Sequence, residues 1–270
     1  PHQYPTNTNS ELTVIDSSTN GYGMVATVTR PMDVNRDDGN MLVVYRQYAG
    51  ENTTHGQLGA GYGVVTDGAV NWDVQYNVNY NGNPPWGGGG VGYDAASPTS
   101  QARYPSGIAS EEYPYAIWNE YTAGPPAPHW DSNCSSDYGG RPYFSYDEFG
   151  WGGESWVAPP LDLDPLWDCS KDLWAGSVGY GYDEASGDHH VSAVYSDWTR
   201  TGSYLFTSEA VEDGYIVLGT ETLIVNPQHL GTDGYSSAAI LSMNGNGQGI
   251  LGIDGIFAGN DMDAGTCNPP

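Results

Sequence analysis

The sequence contains very few basic residues and a large excess of acidic ones. Its 270 residues include 33 Asp and Glu but only 7 Lys and Arg, with Lys171 as the single lysine, so the formal net charge is −26. Nucleic acids and anionic lipids are recognised through lysine and arginine contacts to phosphate, so this balance excludes both as partners. Such a charge keeps a protein soluble and attracts cations, calcium included. We therefore expect a secreted protein in an extracellular or salty setting, or at a cell surface.

The chain also lacks long apolar runs and helical periodicity. No stretch of about eighteen apolar residues occurs, which excludes a membrane-spanning helix. No window shows apolar residues spaced by three and four positions over several turns, so long helices are not expected. Glycine (38), tyrosine (21) and proline (18) are abundant instead. This composition is typical of short strands joined by turns and predicts an all-β protein.

Cysteine is scarce as well, and the three cysteines match no zinc-binding spacing. Cys134 and Cys169 lie in loop-like contexts, and we predict a disulfide between them worth about 3–4 kcal/mol of loop-closure entropy. The alternative is that all three are unpaired thiols. With the disulfide formed, Cys267 is left over, either free or bonded to another chain. Asn52 and Asn133 begin N-glycosylation sequons, which matter only if the source organism glycosylates.

Strand-like runs bounded by turn signals recur along the chain in groups of four. The groups cover approximately residues 20–80, 101–160, 172–226 and 234–260, and Gly/Pro-rich segments separate them. The individual runs lie at 22–29, 40–47, 57–65 and 71–78, at 102–110, 113–121, 141–147 and 154–158, at 173–183, 189–198, 203–208 and 215–225, and at 235–243 and 247–257.

These groups predict a single β-propeller domain over residues 1–270, an array of four-stranded antiparallel blades of which about four are recognisable. Runs such as MLVVY, YAIWN and HVSAVYS are apolar at nearly every position, as expected for strands packed on both faces. A two-sheet sandwich, whose strands would alternate more cleanly, is the alternative.

Three blades and about half of a fourth are too few to close a typical propeller ring, which has four to eight blades. We expect the ring to be incomplete, or to be completed by the N-terminal run at 11–15 or by another chain. An open sheet edge is a template for strand addition, so self-association is a partner hypothesis. The sequence starts at Pro1 rather than at methionine, which predicts a piece of a longer precursor whose neighbouring domains would be further partners.

The stretch VTDGAVNW resembles the Asp-box of sialidase-like β-propellers, a turn of the form Ser/Thr-x-Asp-x-Gly-x-x-Trp. Asp67, Gly68 and Trp72 match, whereas Val65 and Ala69 stand where Ser and a second Gly are usual. The resemblance implies a hairpin between the third and fourth strands of a blade.

A second, stretched copy of the box is SYDEFGWGGESW, which runs from Ser145 and Asp147 to Trp156. The physical role implied for both copies is local. The aspartate accepts backbone N–H bonds in the turn, the glycine takes a positive φ, and the tryptophan packs under the hairpin.

A second resemblance covers roughly residues 20–160. GYGVVTDGAVNWDVQ followed by ARYPSGIASEEYPYAIWNEYT is similar to the propeller portion of large secreted proteins from Bacteroidota and related bacteria. Those proteins carry type IX secretion sorting domains at their C-termini. The resemblance implies a propeller fold and an exported protein, and it says little about activity.

A sialidase needs three arginines that converge on a carboxylate, a tyrosine nucleophile with a glutamate, and an aspartate acid. Of the six arginines in this chain, Arg46 and Arg103 lie in strand-like runs, but no RIP-type strand opens the first blade. No complete catalytic constellation is visible, which favours a protein that is not an enzyme. Carboxylate pairs such as Glu111 and Glu112 are more simply a solvated acidic surface.

The segment DVNRDDGN is the best candidate for a metal site. It offers Asp33, Asn35 and Asp37 at positions one, three and five, as in a calcium-binding EF-hand loop. Asp38 occupies the position where that loop needs glycine, and no glutamate follows at position twelve. The alternatives are a calcium site and an acidic turn between two strands.

Aromatic residues are frequent in the predicted loops, where exposed rings can stack on sugar faces or pack the loops over the blade ends. His189 and His190 point to opposite sides of a strand, so they cannot bind one ion together. The loop aromatic residues are Trp86, Tyr93, Trp130, Tyr138, Trp151 and Trp167.

The sequence therefore predicts a non-enzymatic extracellular β-propeller that serves a structural or adhesive role. Self-assembly into a cell-surface or extracellular filament is one form of that role. The alternative is a carbohydrate-binding or sialidase-like propeller that binds or cleaves glycans. Missing catalytic arginine and acid/base motifs favour the first function.

Overall fold

The computed structural model describes residues 13–18, 29–48, 56–76, 78–79, 102–122, 139–153, 155–157, 161–163, 173–197, 202–225 and 235–256. Within these ranges nearly all regular structure is β-strand, and a single 3₁₀ turn spans Gly150–Gly152. The predicted all-β class is confirmed.

Sixteen strands make up the described part of the chain. They are β1 (Met32–Val34), β2 (Met41–Tyr48), β3 (Gly56–Thr66), β4 (Ala69–Gln75), β5 (Arg103–Ala109), β6 (Pro114–Thr122), β7 (Gly139–Tyr146), β8 (Leu161–Asp162), β9 (Leu173–Asp183), β10 (Asp188–Asp197), β11 (Ser203–Thr207), β12 (Ala210–Glu212), β13 (Tyr215–Val217), β14 (Thr220–Val225), β15 (Tyr235–Met243) and β16 (Gly249–Ile256).

The strands form consecutive antiparallel sheets that follow the order of the chain. The first sheet contains β1 to β4, the second β5 to β8, the third β9, β10, β11 and β14, and the fourth only β15 and β16. A small hairpin of β12 and β13 extends from the third sheet. This is the propeller-like array of four-stranded blades that the sequence predicts, with three full blades and half of a fourth among the described residues.

Three predicted strands differ from the observed ones. The first strand of the first sheet is Met32–Val34, and the predicted run at 22–29 lies almost entirely outside the described residues. The fourth strand of the second sheet is Leu161–Asp162, because residues 150–157 form a turn with one isolated bridge.

The prediction of one strand at 215–225 is wrong. This segment forms two strands, β13 and β14. Asp213 and Gly214 both have positive φ angles, 47° and 84°. These are the signs of a type I′ turn, which closes a two-residue hairpin and turns the chain back on itself. β13 therefore pairs with β12, while β14 pairs with β11 at the sheet edge.

The hydrophobic core lies between successive sheets rather than between two layers. Side chains alternate along each strand, so a strand that is buried on both faces contacts a different neighbour with each face. In β6, Ala116 and Trp118 pack towards the first sheet, while Tyr115 and Ile117 pack towards the third. Both faces of the second and third sheets are used in this way, so the stacked-blade prediction is confirmed and the sandwich alternative is wrong.

Serine hydroxyls connect the inner strands of neighbouring sheets. The Ser106 hydroxyl accepts from the Arg30 backbone N–H at 2.9 Å and donates to the Gly176 carbonyl at 2.9 Å, and so joins the first three sheets. The Ser177 hydroxyl donates to the Leu241 carbonyl and accepts from the Leu241 backbone N–H, which joins the third sheet to the fourth. These bonds satisfy backbone groups that the strands leave unpaired at the centre of the array.

The outward face of the first sheet is lined by glycines of β3 that neighbouring rings cover. A Cβ atom at Gly59 would lie 2.6 Å from Tyr45 Cζ, and one at Gly63 would lie 2.9 Å from the Trp72 ring. These glycines are required because each aromatic ring lies directly over the backbone of the strand. The result is a flat, largely apolar sheet face.

The N-terminal segment at 13–18 also lies on this face. Asp16 accepts hydrogen bonds from the Tyr45 hydroxyl and from the Gln47 side-chain amide. A Cβ atom at Gly61 would lie 2.8 Å from Ile15 Cγ2. The expectation that the N-terminal run completes the fourth sheet is therefore wrong for the residues that the structure describes, since they contact the first sheet.

Replacing Ser177 with alanine tests the link between the third and fourth sheets. The substitution removes the hydrogen-bond partner of two buried backbone groups of Leu241, so we expect the free energy of unfolding to fall by about 1–3 kcal/mol. Urea denaturation measures the change. Ser242→Ala, on an exposed position of β15, is the control and is expected to change stability by less than about 0.5 kcal/mol. Equal effects of the two substitutions would contradict the assigned role of Ser177.

Candidate functional site

The second box copy, from Ser145 to Trp156, forms a closed turn organised by Asp147. Asp147 Oδ1 accepts from the backbone N–H of Phe149 at 3.0 Å and of Ser155 at 3.4 Å. The Ser145 hydroxyl donates to the Val157 carbonyl at 2.8 Å. This turn lies between β7 and β8, the third and fourth strands of the second sheet.

Asp147 also joins two sheets. Its Oδ2 accepts from the hydroxyl of Tyr62 on β3 at 2.9 Å, and both side chains are almost completely buried. Trp151 and Trp156 pack against the Tyr62 ring with centroid distances of 5.7 and 6.3 Å. Burial raises the pKa of Tyr62 far above its usual value, and the Asp147 carboxylate raises it further, so the hydroxyl remains a donor.

The first box copy is a simpler hairpin. Asp67 and Gly68 have φ angles of 51° and 78°, the signs of a type I′ turn, and both are exposed. Trp72 pairs with Gly63 across β3 and β4 and covers it. This stretch is a hairpin at the edge of the first sheet, and its Asp-box character stays a prediction.

A cavity of about 790 Å³ lies where the inner strands of all four sheets converge, and we call it the central cavity. Its volume is within the range of small-ligand sites in proteins. The lining residues are Arg30, Asp33, Val34, Asn35, Arg36, Asp37, Ile108, Ala109, Ser110, Glu111, Tyr180, Gly181, Tyr182, His189, Ser242, Met243, Asn244, Gly245, Gln248, Gly249 and Ile250.

The third sheet contributes an aromatic wall to the central cavity. The His189 ring stacks on Tyr180 with a centroid distance of 5.0 Å and lies 5.1 Å from Tyr182. Burial raises the pKa of Tyr180 to about 12, so its hydroxyl is neutral at physiological pH. Tyr182 is 40% exposed and presents its ring to solvent. His190 points away and bonds to Ser186 and to the Ser208 carbonyl, as the alternation of strand side chains predicts.

The first sheet contributes the predicted metal residues to another wall. Asp33 forms an ion pair with Arg30 and accepts from the Ala109 backbone N–H at 2.9 Å, so both of its oxygens are bonded. Asn35 Oδ1 accepts from the Asp37 backbone N–H at 2.9 Å, which is an Asx turn. Among the described residues, no group of three or more His, Cys, Asp or Glu side chains is placed to hold a metal ion. Calcium binding by Asp33, Asn35 and Asp37 stays a prediction.

The turn between β15 and β16 forms the wall contributed by the fourth sheet. Asn244 Oδ1 accepts from the backbone N–H groups of Asn246 at 3.1 Å and Gln248 at 3.0 Å. The Tyr182 backbone N–H donates to the Gly245 carbonyl at 2.8 Å, which fixes the turn against β9. This wall was not predicted from the sequence, although the NGNG pattern between two strands signals a turn.

The buried arginines lie at the opposite ends of the strands. Arg46 is near the end of β2 and Arg141 is near the start of β7, and both are buried. Arg103 is half-buried and begins β5, with its guanidinium 5.5 Å from the Trp174 ring. Burial lowers the pKa of Arg46, and the nearby charge of Arg103 lowers it further. Glu120, also buried, accepts from Asn79 and from the Trp118 indole N–H. These charges stabilise the interfaces between sheets, whereas Arg30 and Arg36 are the arginines that line the central cavity.

Other predicted sites fall outside the described residues, namely Cys134, Cys169, Asn52 and Asn133. In the sequence, Cys134 lies between β6 and β7, and Cys169 lies between β8 and β9. The disulfide and the glycosylation sites remain predictions. Of the loop aromatic residues, the structure describes Trp151. Its indole N–H donates to the Ser110 carbonyl at 3.1 Å, so this side chain packs against the protein instead of extending into solvent.

Comparison with known proteins gives a fold likeness alone. No protein-family model matches the sequence, and no curated protein matches it either. The structure is similar to a Trypanosoma rangeli sialidase, with 16% sequence identity and a TM-score of 0.37. The similar region covers 74% of this chain and 31% of the sialidase. At this level the likeness says nothing about activity, and the fold assignment rests on the sheet topology. The described residues include no apolar helix long enough to cross a bilayer.

Alanine substitutions of the two box aspartates separate their roles. Asp147→Ala removes a buried carboxylate that bonds the turn and Tyr62, so we expect it to lower the free energy of unfolding by about 3–5 kcal/mol. Asp67→Ala changes an exposed turn residue and is expected to cost about 1 kcal/mol, because alanine tolerates a positive φ less well. Chemical denaturation of both variants measures the difference. A loss at Asp67 as large as that at Asp147 would contradict this assignment.

Proposed function

We propose that this protein is a non-enzymatic, extracellular module that binds carbohydrate through the central cavity and so serves in adhesion. The observation that carries the proposal is the exposed aromatic wall beside a polar rim. Tyr182 and His189 offer ring faces, while Asn35, Ser110 and Gln248 come from other sheets. Sugars have apolar faces and polar edges, so a site for them combines an aromatic ring with hydrogen-bonding side chains.

A binding role suits the carboxylates of the cavity better than a hydrolytic one. Glycoside hydrolysis uses a pair of carboxyl groups that face each other across the substrate, one of them protonated. Both oxygens of Asp33 are engaged, by Arg30 and by the Ala109 backbone, so this carboxylate serves to anchor β1 to β5. Glu111 and Asp37 are exposed on the rim, as expected for solvated acidic groups.

The extracellular location is supported by the acidic composition. A net charge of −26 favours solubility and reduces contact with nucleic acid and anionic lipid. The proposed secretion, the Cys134–Cys169 disulfide and calcium binding all belong to this setting.

Removing the exposed aromatic ring tests the proposal. We expect the protein to bind one or more neutral glycans on an array, and Tyr182→Ala to weaken that binding about tenfold or more, because a stacking contact is worth about 1–2 kcal/mol. Isothermal titration calorimetry measures the dissociation constants. The matched control is Tyr215→Ala, which removes a ring that is 48% exposed outside the central cavity and should leave binding unchanged.

Two results would contradict the proposal. One is the absence of binding to any glycan by the intact protein. The other is release of sugar from a fluorogenic glycoside by the wild type, which would show that the cavity is an active site instead.

A second function, self-assembly as a structural subunit, is supported by the outward face of the first sheet. Its exposed residues Met32, Val65 and Val70 are apolar and 37–48% exposed. The fourth sheet has two strands, and Ile240 on its outward face is 51% exposed. Exposed apolar sheet faces and edges favour association with further sheets. We infer that a second copy of this chain covers them.

Sedimentation velocity tests this second function. Because each copy carries a net charge of −26, we expect association to increase with protein concentration and with salt, which screens the repulsion. Val70→Asp and Ile240→Asp should both reduce it, whereas Phe149→Asp, at a residue 69% exposed on the box turn, should not. A monomer under all of these conditions would rule out the structural function and leave the carbohydrate proposal intact.

A further inference from the structure

The turn between β15 and β16, residues 244–248, approaches β9 unusually closely. A Cβ atom at Gly181 would lie 2.6 Å from Gly247 N, 2.7 Å from Gly247 Cα and 2.8 Å from Asn244 O. All three contacts are with backbone, which cannot rotate away as a side chain can. Only glycine at 181 therefore permits the turn to lie where it does.

Gly181 lies between Tyr180 and Tyr182 in β9, and because side chains alternate along a strand, its Cβ position faces away from their rings. The hydrogen bond from the Tyr182 N–H to the Gly245 carbonyl holds the turn at the edge of β9, and Tyr182 and Gln248 both line the central cavity. The turn itself is closed by a bond from the Asn244 N–H to the Gln248 carbonyl at 2.8 Å. The position of Gln248 relative to Tyr182 is thus determined by the contact at Gly181.

The charges around the central cavity bear on the class of sugar. Two arginines and three carboxylates line it, and Arg30 is already paired with Asp33. The cavity therefore offers no excess of positive charge, and the net charge of −26 on the whole chain repels anions. A site for uronic or other acidic sugars needs an excess of positive charge, usually with arginines free to bind the sugar carboxylate.

We propose that the central cavity selects neutral sugars, that the turn at 244–248 is its specificity element, and that Gly181 is the positioning residue for that turn. A neutral sugar ring stacks on Tyr182, and the side-chain amide of Gln248 bonds its hydroxyl groups. The side chain of Asn244 holds the turn, since its Oδ1 already accepts two backbone N–H groups. This inference rests on the proposed carbohydrate-binding function.

The experiment compares affinities for a neutral oligosaccharide and for its uronic acid counterpart by titration calorimetry. We expect the wild type to prefer the neutral ligand by about tenfold or more. Gly181→Ala should displace the turn and reduce the affinity for the neutral ligand about tenfold, and Gln248→Ala should reduce the preference between the two ligands. Gly252→Ala is the matched control on β16, because a Cβ atom there would lie 3.9 Å from its nearest neighbour, the Ile240 carbonyl oxygen.

The outcomes separate this inference from the function on which it rests. If no glycan binds the wild type, the proposed function fails. If glycans bind but Gly181→Ala and Gly252→Ala behave alike, the positioning role is wrong while the function stands. A preference of the wild type for the acidic ligand would overturn the neutral-sugar assignment. Should Gly181→Ala unfold, as circular dichroism would show, the milder Asn244→Ala, which removes the two bonds that hold the turn, should produce the same loss of affinity for the neutral ligand.

Discussion

Every sheet in the middle of this array must bury both of its faces, and the rest of the structure depends on that constraint. The alternating side chains of β6 pack against the first sheet on one face and the third sheet on the other, and residues 115–118 are consequently all apolar. Some backbone N–H and carbonyl groups at the centre have no partner within their own sheet, so serine hydroxyls of a neighbouring sheet form hydrogen bonds with them. Ser106 bonds to two neighbouring sheets at once, and Ser177 bonds to both polar groups of one residue. Stacking and hydrogen bonding thus fix the same arrangement.

The distribution of charge follows from this arrangement. A chain with a net charge of −26 can keep its carboxylates in solvent only if most of them lie on turns and rims. Two of the buried carboxylates show how donors surround such an exception. Asp147 bonds two backbone amides and Tyr62, and Glu120 bonds an amide and an indole. In both cases the carboxylate joins neighbouring segments, and removal of a partner would leave a buried charge unpaired.

The strands that pack on both faces were predictable from the sequence, and the site was not. The run at 173–183 is the observed β9, because its length and its flanking turns leave one interpretation. The hairpin at 210–217 was missed, although Asp213-Gly214 is a strong turn signal, since each of its two strands is only three residues long. The box at Asp147 was identified by resemblance, but its bond to Tyr62 spans 85 residues, and no local pattern encodes it. The central cavity is harder still, because its walls come from all four sheets and its residues are unremarkable turn and strand-end side chains.

The fourth sheet holds a special position in this fold. It is the least covered sheet among the described residues, with two strands and one packed face, yet it supplies the turn that closes the central cavity. It is attached to the third sheet through Ser177 and through the bond between Tyr182 and Gly245. A ligand that contacts both Tyr182 and Gln248 would therefore add a bridge between the two sheets. Binding that requires the native arrangement stabilises it by mass action, so such a ligand would hold the fourth sheet against the third.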